Sequence, residues 1–182
     1  MEIGESFVGT GPNAAHVNTV LGERESAVGV AWATALASPT AGHAPFLTVL
    51  QPGLPVKPFT LFVAKAKVEG PAHARMTWGP AQAGVAAGVA DAVAAEIMSE
   101  EEADSLVLIA AVWVDPAADD AQAVYVNNRE ATRSALVIGR AALPAARDAV
   151  SKRNDPFNPF FKPAPPPPPV DEPPKPPPTK KK

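Results

Sequence analysis

Nine consecutive apolar residues at positions 106–114, "LVLIAAVWV", constrain this chain more than any other stretch. The run is too short to cross a bilayer, and it lacks the alternation of a strand with one wet face. It predicts a central β-strand buried on both sides. Such a strand needs other strands beside it and helices laid over it.

The rest of the chain offers those partners. Residues 2–10, "EIGESFVGT", read as a strand with a glycine break, and "HVNTVLG" (16–22) as a second strand. Gly9, Gly11 and Pro12 mark the turn between them. "SAVGVAWATALAS" from Ser26 has helical spacing, with Ser26 as cap and Val30, Trp32 and Leu36 on an inner side. "PFLTVL" (45–50) and "TLFVAKAKV" (60–68) read as strands around the proline-rich loop 51–58. In the second of these, alternation puts Lys65 and Lys67 on one side. "GPAQAGVAAGVADAVAAEIM" (79–98) is a helix with Pro80 in its first turn. Its stripe is Ala81, Val85, Val89, Val93 and Ile97, and its Ala and Gly content implies close approach to another element. "SEEE" (99–102) forms a capping box, and a last helix from about Gln122 to Ala149 is interrupted at Pro144. The order β-β-α-β-β-α-β-α predicts an α/β (α+β) sandwich, a mixed sheet with packed helices.

Composition divides the chain. Thirteen of its 23 prolines fall within residues 156–182, a stretch that proline bars from helix and sheet. The expectation is a catalytic domain over 1–150 and a solvated, polyproline-II-rich, lysine-ended tail over 151–182. PxxP patterns make the tail a candidate ligand for a proline-recognising protein partner. "FNPFF" (157–161), ahead of the polyproline run, offers three phenylalanines for packing on the body or on a neighbouring subunit. The net charge is −3, and the tail is basic, so the body is acidic and does not suit a nucleic-acid binder. With no cysteine, disulfides and thiolate metal sites are excluded, which fits a reducing compartment. The N-terminus lacks a basic secretory region, so a cytoplasmic protein is expected.

Familiar catalytic signatures are absent. There is no GxGxxG, P-loop, HExxH or GxSxG, and three scattered histidines give no metal site. Asp115, Asp119 and Asp120 read as helix caps rather than cation ligands. Chemistry must therefore come from scattered polar residues: His16, Asn18, Lys65, Lys67, Gln82 and His43. His73 reads as an ordinary structural histidine.

Several stretches taken together resemble one family. They are "GPNAAHVN" (11–18), "LASPTAGHAPFLTVLQPGLPVKP" (36–58), "TLFVAKAKV" (60–68), "WGPAQAGVAAGVADAV" (78–93), "EEADSLVLIAAVWVDPAADDA" (101–121) and "NNREATRSAL" (127–136). In order and almost without gaps over residues 2–142, they resemble formaldehyde-activating enzyme, the tetrahydromethanopterin-linked hydro-lyase. The resemblance implies a fold similar to ribosomal protein S5 domain 2 and a homopentamer with sites between subunits. It also implies condensation of formaldehyde with tetrahydromethanopterin to 5,10-methylene-tetrahydromethanopterin and water. The pterin is a co-substrate, with no permanently bound cofactor or metal. The setting implied is one-carbon metabolism, methylotrophy and formaldehyde detoxification.

By the same resemblance His16 is the proton donor, and Asn18, Leu47, Lys65, Lys67 and Gln82 contact the substrate. Two of these depart from the family pattern. Asn18 stands where aspartate is usual, and so cannot pair as an anion with a cationic His16. Lys67 stands where a threonine is usual. These departures motivate the alternative of a diverged member that binds a pterin or small carbonyl without efficient turnover. The tail motivates another, a pentameric platform displaying proline-rich segments.

Overall fold

A computed structural model describes residues 1–164. One compact unit ends at Ala146 and a second begins at Arg147.

The first unit holds a five-stranded mixed sheet in the order β1-β2-β7-β6-β3. Its strands are β1 (Glu2–Val8), β2 (Ala15–Glu23), β3 (Phe46–Leu47), β6 (Phe59–Ala64) and β7 (Leu106–Trp113). β7 is central: it pairs antiparallel with β2 and parallel with β6. β1 adds to β2 and β3 to β6, both antiparallel. A small hairpin, β4 (Val49–Gln51) and β5 (Leu54–Pro55), occupies part of the stretch read as a loop. The architecture is therefore α+β, a mixed sheet with packed helices.

One face of the sheet is the core. Ala15, Val17 and Leu21 of β2, Phe62 of β6, and Leu108, Ala110 and Val112 of β7 are buried there. They pack under α3 (Gln82–Ala94) and α5 (Ala121–Arg140). Those two helices lie against each other with almost no side chain between them. A Cβ at Gly84 would strike the Tyr125 carbonyl, and one at Gly88 the Arg129 carbonyl. Arg129 locks the pair across the surface with two hydrogen bonds to Asp91, at 2.6 and 2.7 Å. The expected stripe is buried at Ala81, Val85 and Val89 but only partly at Val93. The helix is also shorter than 79–98: residues Thr77–Ala81 form a π-helical turn containing Pro80, and α3 ends at Ala94.

The opposite face departs from expectation. On this face Val107 is buried, but Ile109, Ala111 and Trp113 of β7 are only half-buried, so most of the apolar run is fully packed on one side only. α1 (Ala27–Ala37) covers just one end of this face. There Gly22 leaves room for Val28, and the Trp32 indole donates to the Phe59 carbonyl at 3.1 Å. Ser26 caps α1 as expected, accepting from Val28 N–H at 3.2 Å. Val30 and Leu36 do not turn inward, however. They are 66% and 41% exposed, and Val28 and Gly29 are the buried residues. A period-3.6 pattern shows which residues share a side, not which side meets this chain's own core.

Helices α2 (Gly70–Met76) and α4 (Glu100–Ser105) complete the crossover from β6 to β7. The capping box is complete: Ser99 Oγ accepts from Glu102 N–H, and the Ser99 amide donates to the Glu102 carboxylate. The long C-terminal helix breaks around Pro144, with α6 (Ala146–Ser151) beyond it. In the second unit Asn158 and Phe161 close a short backbone bridge, and Phe157, Phe160 and Phe161 are exposed. The polyproline run and the terminal lysines lie outside the described residues.

Candidate active site

His16 enters β2 directly after the turn Gly11–Asn13. Asn13 ties that turn to the start of α5. Its Oδ1 accepts from the Asp119 and Asp120 amides at 3.0 and 3.1 Å, and its Nδ2 donates to Asp119 at 2.9 Å. Asn127 of α5 donates to the Asn13 carbonyl at 2.8 Å. Asp120 in turn caps α5, and Asp115 accepts from Ala117 N–H. The acidic run thus holds the loop that delivers His16. Among the described residues no group of three or more His, Asp or Glu is placed to hold a metal ion.

Strand alternation puts His16 and Asn18 on the half-open face, since Ala15, Val17 and Thr19 point into the core. Register places Ala111 and Trp113 beside them on β7, and Glu5 and Phe7 on β1. Lys65 extends β6 by one residue, its amide donating to the Val112 carbonyl at 2.8 Å. Its ammonium reaches Asn18 Oδ1 at 2.7 Å. On the other side of the histidine, Nε2 meets Glu5 Oε1 at 2.9 Å, and the Phe7 ring lies 5.9 Å from the imidazole, tilted by 49°. Two bonded pairs, Glu5–His16 and Asn18–Lys65, thus form a polar row on an otherwise apolar face.

Burial sets the electrostatics of this row. Partial desolvation pulls the His16 pKa below its usual value, the Lys65 charge pulls it further, and the Glu5 carboxylate opposes both. Lys65 is lowered to about 8, chiefly by burial, with Glu5 again opposing. Burial thus weakens the hold of both side chains on their protons, which makes each easier to deprotonate than in water.

The other expected residues lie differently. Leu47 pairs with Leu61 at the sheet edge and shares the face of Ile109. Gln82 opens α3 and accepts from the Val49 amide at 2.6 Å, bracing β4. Lys67 lies beyond the end of β6, so the expected alternation with Lys65 does not extend to it. It is exposed and paired with Glu69 at 3.1 Å. His43 is bonded through Nδ1 to the Ala64 carbonyl at 2.9 Å. Its neighbours Gly42 and Ala44, with Val68 and Trp78, line a cavity of about 280 Å³. His73 is buried, with Nε2–H donating to the Val114 carbonyl and Nδ1 accepting from the Glu69 amide, a structural tie as expected.

Glu5 has no counterpart among the sequence candidates. The signal for it was the alternation of "EIGESFV", which becomes informative only once the register with β2 is known.

The model of the formaldehyde-activating enzyme family matches residues 3–161. The chain belongs to the formaldehyde-activating enzyme family. The match takes in residues 143–161, which the resemblance read from the sequence leaves out. The chain is 38% identical to a 5,6,7,8-tetrahydromethanopterin hydro-lyase of Methanosarcina barkeri, over 87% of this chain and 89% of that protein. It is 45% identical to a bifunctional enzyme Fae/Hps of Methanococcoides burtonii, over 75% of this chain but 34% of that protein. A similar protein of Methanosphaera stadtmanae is 42% identical over 74% of this chain and 33% of its own length. This formaldehyde-activating enzyme family member thus spans about a third of those bifunctional relatives.

Proposed function

We propose that this chain is a hydro-lyase that condenses formaldehyde with tetrahydromethanopterin to 5,10-methylene-tetrahydromethanopterin and water, with His16 as the proton donor. The observation that carries the reading is the polar row itself. A half-buried imidazole, bonded to the Glu5 carboxylate, stands beside a lysine on a face otherwise lined by apolar side chains. One pterin nitrogen adds to formaldehyde and forms a carbinolamine. Hydroxide is a poor leaving group, so His16 protonates it as it departs. The second nitrogen closes the ring on the resulting iminium. Asn18 and Lys65 supply a hydrogen-bonding pair that orients the pterin, and the apolar surround limits competing water.

The site is read as complete only between subunits of a homopentamer. Within one chain His16, Asn18 and Lys65 converge, while the contacts of Gln82 and Lys67 lead elsewhere. The half-open sheet face and the uncharged, exposed α1 offer apolar surface for assembly. The fold is read as similar to ribosomal protein S5 domain 2. Residues 1–150 are read as the catalytic domain and 151–182 as an appended tail that is not needed for turnover. The setting is read as cytoplasmic one-carbon metabolism. Among the described residues no helix is long and apolar enough to cross a membrane.

The test is the initial rate of methylene-tetrahydromethanopterin formation with and without protein, alongside His16→Ala. The expected result is a large acceleration over the spontaneous reaction, reduced about 100-fold or more in the variant. No acceleration by the wild-type chain would overturn the enzyme reading.

A further inference from the structure

We propose that Glu5 is the carboxylate partner of His16, holding the imidazole through Nε2 so that Nδ1 delivers the proton to the departing hydroxide. The inference rests on the reading of His16 as proton donor and assigns a positioning role to a residue one strand away.

Position 18 carries an amide, and its oxygen is already engaged by the Lys65 ammonium at 2.7 Å. It therefore cannot balance a positive charge on His16. The charge that can do so comes from β1. Glu5 lies opposite Asn18 in the β1–β2 ladder, and Phe7 lies opposite His16. Glu5 is thus the diagonal cross-strand neighbour of His16 on the same face, within reach of a long side chain. Its carboxylate closes on Nε2 at 2.9 Å, and the tilted Phe7 ring lies 5.9 Å from the imidazole. The charged groups acting on His16 are Glu5 from β1 and Lys65 from the end of β6, and its register neighbours Phe7, Ala111 and Trp113 do not titrate.

This arrangement fixes the tautomer. With Nε2–H donating to Glu5, a cationic His16 has Nδ1–H free to give. As the carbinolamine C–O bond breaks, that proton passes to the departing oxygen and leaves as water. The histidine is then neutral, with Nε2–H still on Glu5, and Nδ1 recovers a proton from solvent. Without the carboxylate, the adjacent Lys65 charge and partial burial would leave less of the histidine protonated near neutral pH.

The test uses the full chain. NMR follows the His16 imidazole through pH in the free wild-type protein, Glu5→Gln and Glu5→Asp, and initial rates are recorded over the same range. Glu5→Gln should titrate His16 at a pH lower by about half a unit or more. It should also lose about tenfold of the acceleration near neutrality, with the alkaline limb of the rate profile displaced in the same direction. Glu5→Asp, which keeps the charge on a shorter stem, should fall between. An unchanged His16 titration and an unchanged rate profile in Glu5→Gln would overturn the proposal. A His16→Ala variant that keeps the full acceleration would instead overturn the proton-donor reading. Loss in His16→Ala with no change in Glu5→Gln would remove only the role of Glu5.

Discussion

Lys65 and Asn18 show how one residue's charge state depends on another's chemistry. An aspartate at position 18 would hold the lysine protonated, whereas the amide gives it a hydrogen bond without a countercharge. Burial then takes the Lys65 pKa to about 8, below its unfolded value of roughly 10.4. Between those values the unfolded chain binds the extra proton, so stability should rise with pH from about 8 towards 10. Because Lys65 is half exposed, solvent screening keeps the effect modest. Urea unfolding of wild type and Lys65→Met at several pH values checks this, and the variant should lack that increment. The same substitution removes a positive charge beside His16, so NMR should find the imidazole titrating at a higher pH than in wild type.

At the scale of elements, the motif "DPAADDA" and the turn "GPN" act as one device. α5 is capped by Asp120, and the amides just before the helix are taken by Asn13, which fixes where β2 begins. Asn13→Ala removes the acceptor of two amides and one donor. It should cost about 1–2 kcal/mol in urea unfolding. It should also lower kcat, because the first residues of β2 carry His16, the proposed proton donor. A stability loss with kcat unchanged would mean that the turn supports the fold but does not set the position of His16.

For the molecule as a whole, the unusual quantity is apolar surface without a partner in the same chain. α1 has no charged residue, and Val30 is 66% exposed. Beyond α1, the half-open sheet face adds Ile3, which is 58% exposed, and the half-buried Ile109. Under the pentamer reading these surfaces meet another copy. Val30→Asp places a charge on that surface and should shift the protein toward monomer in sedimentation analysis. Activity should fall with it if the site is shared. Truncation after Phe161 should leave both assembly and activity intact, since the matched region ends there.

The sequence by itself determined the mixed-sheet architecture, the central position of residues 106–113, the Ser26 and Ser99 caps and the break at Pro144. These follow from local rules: apolar run length, side-chain acceptors for orphan amides, and the fixed φ of proline. His16, Asn18 and Lys65 were legible as candidates through family motifs whose spacing is local. Tertiary structure decided the rest. Whether the second face of β7 was covered, which side of α1 was buried, and where Lys67 pointed all depend on what packs against each element. Glu5 was the clearest case. It lies eleven positions before His16, and nothing local links the two. Antiparallel pairing in one particular register places them side by side, and a shift of a single residue would have sent the carboxylate to the opposite face.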